Sequence, residues 1–127
     1  MRILGIDFGL AKIGLAIADD GLAQPLGVVK NGQPALAKIA RLVGQEQIEK
    51  IVIGVSEGKI GQKTRKYGEW LKTMTGVKVV FQDETLTTKE AIAKMIEAGK
   101  KKKYRQEKED AFAAAIILQA YLDKLNV

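Results

Sequence analysis

Residues 2–18, "RILGIDFGLAKIGLAIA", determine how the fold of this chain begins. Arg2–Asp7 and Ile13–Ala18 are apolar or small at nearly every position, which is typical of short strands that are buried on both faces of a sheet. The link formed by residues 8–12 is short enough for a hairpin between them. We therefore predict that the chain opens with two adjacent antiparallel strands.

The sequence after this hairpin predicts one more meandering strand and then an alternation of helices and strands. A turn signal at Asp19–Gly21 leads into a third strand at Ala23–Lys30, and further strands are expected at Lys50–Val55 and Val77–Gln82. The predicted order is β-β-β-α-β-α-β-α-α. Such an order implies an α/β fold in which helices cover a mixed sheet.

Four helices are predicted from apolar periodicity and from their end signals. Pro34 suits the first turn of the first helix, and Gly76 suits the end of the second, which follows a glycine-rich loop. The remaining signals are a capping box at Thr87–Glu90 for the third helix, an end at Gly99, a charged loop at Lys100–Glu109 and a last helix from about Glu107 to Lys124.

The composition bounds the chemistry. The 127 residues suggest a single domain spanning 1–127. The chain has no cysteine and no histidine, which excludes disulfides, thiolate or imidazole metal sites and a histidine general base. A net charge of +6 favours a polyanionic partner. We find no signal peptide, membrane span or lipidation motif, so we interpret the protein as cytoplasmic, with no membrane partner.

Carboxylates at three positions interrupt apolar runs. Asp7 follows the first strand, Asp83 and Glu84 follow the fifth, and Asp110 lies on the apolar face of the last helix. Carboxylates gathered on a rigid scaffold bind hard cations such as Mg²⁺ or Mn²⁺, and a two-metal site handles both oxygens of a phosphodiester displacement. The alternative is structural: turn formation by Asp7, and favourable charge near helix N-termini for the others.

Four sequence blocks together resemble the YqgF family, also called RuvX. They are "GIDFGLAKIGLAIAD", "KIVIGV", "DETLTTKEA" and "DAFAAAIILQAYL", in the family's order and over nearly the whole chain. The resemblance implies an RNase H-like fold with a mixed five-stranded sheet whose second strand is antiparallel to its neighbours. It also implies a metal-dependent nuclease site formed by Asp7, by Glu84 with Asp83 beside it, and by Asp110.

The family resemblance implies two substrates. Some members are implicated in maturing the 5′ end of pre-16S rRNA, and others have been treated as Holliday junction resolvases. This chain departs from the family pattern in three places: Lys12 and Thr85 replace arginines, and Gly54–Ser56 replaces a longer loop that begins Gly-Leu-Pro. Lysine keeps the charge but lacks the bidentate fork of arginine, and threonine loses the charge.

Basic side chains are candidates for holding phosphates of structured RNA or branched DNA. The sequence is compatible with a monomer or a homodimer. Their contacts would be independent of sequence and sensitive to salt. Two rival functions remain open: a nucleic-acid-binding or ribosome-assembly protein without turnover, and an ATP-binding protein of the actin-like class, which the absence of a Walker-type loop argues against. The candidate phosphate contacts are Lys12, Lys59, Lys63, Arg65, Lys100, Lys101, Lys102, Lys103 and Arg105, of which the lysine run has the alternative of a solvated loop.

Overall fold

The computed structural model describes residues 1–84, 89–98 and 109–125, without the side chains of residues 89–91, 98, 109 and 110. In this part of the chain, nine elements follow one another in the predicted order. The strands are β1 (Ile3–Phe8), β2 (Lys12–Ala18), β3 (Ala23–Lys30), β4 (Lys50–Val55) and β5 (Lys78–Asp83), and the helices are α1 (Gln33–Gln45), α2 (Gly58–Thr75), α3 (Lys89–Ala98) and α4 (Glu109–Leu125).

The five strands form one mixed sheet in the order β3-β2-β1-β4-β5. Strand β2 is antiparallel to both of its neighbours, whereas β1, β4 and β5 run parallel to one another. This arrangement confirms the predicted mixed sheet and the antiparallel second strand. Because β1, β4 and β5 are parallel, their carboxyl ends lie at the same edge of the sheet, where Asp7 and Glu84 are found.

The two faces of the sheet carry separate cores. Helices α1 and α2 pack on one face, where Ile39 and Leu71 are fully buried with Leu4 and Ile6 of β1. Helices α3 and α4 cover the other face, where Leu118 packs against residues such as Val52 of β4. Successive side chains of a strand point to opposite faces, so β1 contributes to both cores.

Small residues bring α4 close to the sheet. Ala111, Ala114 and Ala115 are fully buried. At Gly5 of β1, an added Cβ would lie 2.8 Å from the Cβ of Leu118 and 3.1 Å from the carbonyl oxygen of Ala114. Glycine is therefore needed at this position for α4 to sit where it does.

One prediction about the helices is wrong. No glycine-rich loop precedes the second helix, because α2 already begins at Gly58. Gly61 and Gly68 lie on its buried side, where a side chain would collide with Ser56 and Phe81 respectively. Their lack of a side chain thus serves close packing and not a break in the helix.

Several other predictions fall on residues that the structure does not describe. The threonines of the capping box, the end at Gly99 and nearly all of the charged loop belong to them. Within the described residues, no helix is long and apolar enough to cross a membrane.

Candidate active site

Asp7 lies near the carboxyl end of β1, on the face of the sheet that α4 covers. In the sheet its backbone is paired with Gly14 of β2 on one side and with Gly54 of β4 on the other. Neither neighbour has a side chain, and the space over Gly54 is taken by the side chains of Glu84 and Ile117. The backbone pairing on both sides fixes the position of the Asp7 Cα, from which the carboxylate extends.

Glu84 reaches the same place from the end of β5. A Cβ added at Gly54 would lie 3.2 Å from Cγ of Glu84 and 2.5 Å from Cδ1 of Ile117. The Glu84 side chain therefore passes over the glycine that is paired with Asp7. A larger residue at position 54 would push Glu84 or Ile117 out of this arrangement.

Asp7 and Glu84 line one cleft of about 260 Å³ together with Ala113, Ile116 and Ile117 of α4. The cleft therefore has acidic groups on the sheet side and an apolar wall on the helix side. Charges interact more strongly beside a low-dielectric wall than in open water. The arrangement suits binding of a cation by carboxylate oxygens.

Asp110 belongs to the first turn of α4, one helical turn before Ala113 of the cleft. Its helix packs on the same face of the sheet as Asp7, which is the side that the nuclease interpretation requires. The Asp110 side chain is outside the described residues, and its role stays a prediction. Among side chains that the structure does describe, no three acidic, histidine or cysteine residues form a group suited to a metal ion.

The two acids after β5 differ in position. Asp83 is the last residue of β5, is paired with Val55 and is exposed. It is not among the residues that line the cleft, whereas Glu84 is. The structure thus brings Glu84 to Asp7, and a ligand role for Asp83 stays a prediction. Glu57, an acid that follows β4, is exposed at the N-cap position of α2.

The basic candidates are dispersed around the molecule. Lys12 begins β2 at the edge where β1 ends, is exposed, and is paired with Lys30, a cation that the sequence analysis missed. Lys59 is exposed in the first turn of α2, and Lys63 faces a groove on the opposite side of the sheet. The Arg65 guanidinium lies 5.1 Å from the centre of the Phe81 ring. Lys100–Lys103 and Arg105 fall outside the described residues.

Pairing in the sheet explains what the sequence analysis missed at the site. Lys30 lies beside Lys12 only because β2 and β3 are antiparallel in a particular register. The role of Gly54 likewise depends on its pairing with Asp7. A hairpin prediction with a fixed register could have found Lys30, but nothing local in the sequence identifies Gly54.

Comparison with solved structures shows the fold. Thermus thermophilus RuvC in complex with a Holliday junction substrate has a TM-score of 0.68 and 18% sequence identity, over 99% of this chain and 96% of that chain. The fowlpox virus resolvase in complex with Holliday junction DNA also has a TM-score of 0.68, with 15% identity over 98% of this chain and 99% of that one. These likenesses confirm the RNase H-like fold.

Comparison with sequences shows the family. A relative from Agathobacter rectalis is 37% identical over 99% of this chain and 97% of its own length, and one from Anaeromyxobacter sp. is 41% identical over 97% of both. Both are named "Putative pre-16S rRNA nuclease". The model of the RuvX family, described as "Holliday junction resolvase", matches residues 1–124. The chain therefore belongs to the RuvX family.

Proposed function

We propose that this chain is a divalent-metal-dependent nuclease that hydrolyses phosphodiester bonds of structured nucleic acid, with the 5′ end of pre-16S rRNA as its substrate. The observation that carries this proposal is the cleft that Asp7 and Glu84 share beneath α4, with Asp110 one helical turn away. The names of the relatives from Agathobacter rectalis and Anaeromyxobacter sp. support the choice of RNA.

The donor atoms at this site fit Mg²⁺ or Mn²⁺. The chain has no cysteine or histidine, so carboxylates are its available charged ligands, and hard divalent cations prefer oxygen. Asp7, Glu84 and Asp110 would hold the metal. When bound, it would supply positive charge to the phosphate under attack and promote ionisation of the attacking water.

The protein's own residues would position the substrate. Asp7 is fixed by pairing on both sides of β1, and Gly54 beside it leaves room for Glu84 to reach the same cleft. Ile116 and Ile117 would keep bulk water from one side of the cleft. Lys12, exposed at the edge where β1 ends, would neutralise a neighbouring backbone phosphate without regard to base sequence.

A second candidate function is resolution of DNA four-way junctions. The description of the matching family model favours it. The same cleft would perform the same hydrolysis, and the two candidates differ only in the nucleic acid that the rest of the surface accepts.

The proposal is tested by cleavage of three labelled substrates: a pre-16S rRNA leader, a four-way DNA junction and an unstructured RNA. We expect Mn²⁺ to support cleavage of the leader and a chelator to stop it. Asp7→Asn and Glu84→Gln should each lower the rate by at least about 100-fold, because each removes a charge that holds the metal. Glu57→Gln is the matched control and should leave the rate unchanged, since Glu57 lies outside the cleft.

Each outcome of the cleavage assay has one meaning. Preferred cleavage of the junction would select the second candidate function. Binding of the leader without cleavage under any metal condition would support the non-catalytic interpretation. Full activity in Asp7→Asn would place the chemistry elsewhere.

Thermal unfolding measures the metal site independently of cleavage. A metal ion that binds the native state preferentially raises the melting temperature. We expect Mn²⁺ to raise it for the wild type and for Glu57→Gln, and to raise it much less for Asp7→Asn. An equal rise in all three proteins would show that the ions bind elsewhere.

A further inference from the structure

A second cavity lies on the face of the sheet opposite the acidic cleft. It has a volume of about 620 Å³ and occupies the groove between the start of α1 and the middle of α2. Phe8, the last residue of β1, belongs to its wall, and Asp7 of the acidic cleft is the preceding residue. The groove and the cleft are therefore reached from the same end of the same strand. We define the groove by Phe8, Gln33, Lys63, Lys66, Tyr67 and Trp70.

Aromatic rings form much of this groove. The rings of Phe8 and Tyr67 lie 4.9 Å apart between centres. Trp70, the single tryptophan of the chain, borders the cavity and is 52% exposed. An exposed indole beside a concave surface offers a flat face against which a planar ligand can stack.

The groove is also positively charged. Lys63 and Lys66 are exposed in its wall, and none of the described residues that line it is acidic. The ammonium of Lys66 lies 5.5 Å from the centre of the Trp70 ring, so that a cation stands beside the stacking surface. Helix α1 points its N-terminus at the groove with no side-chain cap and no acidic residue in its first turn. Its dipole adds a partial positive charge there, although Pro34 has no N–H and the N–H of Ala35 already donates to the carbonyl oxygen of Gly32.

Tyr67 adds an independent feature. Its residue is only 6% exposed, and its buried hydroxyl has no hydrogen-bond partner among the described residues. An unpaired buried hydroxyl costs free energy unless a further polar group supplies a bond. Tyr67 therefore adds its ring to the aromatic wall beside Phe8, while its hydroxyl is buried away from solvent.

We propose that this groove binds a nucleotide of a single-stranded segment, with the base stacked on Trp70 and the flanking phosphates near Lys63, Lys66 and the start of α1. The proposal rests on the proposed function, because it takes nucleic acid as the substrate. Stacking on a side chain requires a base that is free of its duplex, which excludes regular double helix. RNA and DNA share the base and phosphate chemistry, so the groove would accept a single strand of either. The groove would hold this strand while the cleft on the other face of the sheet cuts nearby.

Binding of a nucleotide at Trp70 can be measured by tryptophan fluorescence, since all tryptophan emission comes from this one ring. The protein is titrated with unlabelled single strands of about 12 nucleotides, a length within the usual site sizes of single-strand binders. Chelator is present so that no cleavage occurs. We expect RNA and DNA single strands to quench the emission, with an apparent affinity that falls as salt rises. A duplex of the same length should quench much less.

Variants separate stacking from charge, with the anisotropy of a labelled strand as the readout. Trp70→Ala should weaken binding by about 5- to 100-fold, since stacking on an aromatic side chain contributes about that much. Trp70→Phe should recover part of this loss. Lys63→Gln and Lys66→Gln should each lower the salt dependence of log K by about 0.7 for single strands. The matched control is Met74→Ala, because Met74 is exposed on the same helix but does not line the groove.

The two proposals fail in different ways. Quenching by single strands in a protein that shows no metal-dependent cleavage would keep the groove and remove the nuclease. Cleavage that depends on Asp7, without quenching and with Trp70→Ala binding like the wild type, would keep the nuclease and overturn the groove. Equal quenching by duplex, or quenching insensitive to salt, would also overturn it. In the cleavage assay, Trp70→Ala should raise KM and leave kcat unchanged.

Discussion

The two faces of the sheet pack against their helices with different side chains. On the α4 face, the buried core includes the alanines Ala16, Ala18, Ala23, Ala114 and Ala115. On the α1 and α2 face, Ala35 is the one alanine among the described residues of the core cluster. Small residues allow α4 to carry its first turn to the Asp7 side of the sheet. The larger residues opposite are bordered by an open, aromatic groove. One face is thus suited to close placement of carboxylates, and the other to accepting a planar group.

The largest effect on stability is expected where α4 approaches the sheet. Gly5→Ala should destabilise the fold by about 3 kcal/mol, because the added methyl group meets the Cβ of Leu118 and the backbone of Ala114, neither of which can rotate away. Urea unfolding measures the change. The substitution should also reduce the rise in melting temperature on adding Mn²⁺, since it displaces the helix that lines the cleft.

Gly44→Ala is the control for this prediction. No atom lies within 4 Å of an added Cβ at Gly44, which is in α1 on the other face. Alanine there should stabilise the fold by up to about 1 kcal/mol through helix propensity and unfolded-chain entropy. Equal unfolding midpoints for Gly5→Ala and the wild type would mean that α4 is not held as closely as the structure indicates.

A smaller loss is expected from the buried amide on the α4 face. Gln119 is 1% exposed; its Oε1 accepts a hydrogen bond from the backbone N–H of Ala23 at 2.9 Å, and its Nε2 donates to the carbonyl oxygen of Gly21 at 3.0 Å. These bonds tie α4 to the start of β3. Gln119→Leu should cost about 1–2 kcal/mol, because the buried Ala23 N–H loses its partner while leucine recovers some apolar burial.

Gln62→Leu is the matched control for the same chemical change, since Gln62 is exposed on α2. Its effect should stay within about 0.5 kcal/mol, as is usual at exposed positions. If Gln119→Leu were as harmless as Gln62→Leu in urea unfolding, packing alone would hold α4 in place.

The difference between the faces also explains how far the sequence could predict this molecule. The apolar runs gave the five strands, and β3 and β4 have the predicted bounds. A carboxylate inside an apolar strand end is a local signal, and Asp7 does lie in one cleft with Glu84; its role in catalysis stays a prediction. The choice of Glu84 over Asp83 was left open, since it depends on which face the chain points to after β5 ends.

The groove could not be predicted, for a physical reason. Tyr67 and Trp70 read as apolar positions of one helix, and helical periodicity does not separate a fully buried position from one at the flank of the buried face. Tyr67 is buried and Trp70 is half exposed. The distinction comes from where α1 lies beside α2, which is a tertiary property. The glycines at the start of α2 misled in the same way, because their packing partners are not neighbours in a local pattern.

The smallest effect is expected from two tyrosines, one on each face. The Tyr121 hydroxyl on the α4 face accepts a hydrogen bond from Nζ of Lys50 at 3.0 Å, whereas the Tyr67 hydroxyl has no partner among the described residues. Near neutral pH, Tyr121→Phe should cost up to about 1 kcal/mol. Tyr67→Phe should leave stability equal or slightly higher, because it removes only a buried group without a hydrogen bond.

Alkaline pH should enlarge the difference in the free energy of unfolding between Tyr67→Phe and the wild type. Burial raises the pKa of Tyr67 to about 12, above the value of about 10 for an unfolded chain. The unfolded state therefore loses the phenolic proton first, so the stability contributed by the neutral phenol is complete below pH 10 and is lost as the pH rises towards 12. Tyr67→Phe should gain on the wild type by up to about 1.4 kcal/mol for each pH unit in this window, measured by urea unfolding on both sides of pH 10. A constant difference across the window would mean that the Tyr67 phenol ionises as easily in the folded protein as in the unfolded chain. A loss near neutral pH as large as that of Tyr121→Phe would mean that its hydroxyl has a partner after all.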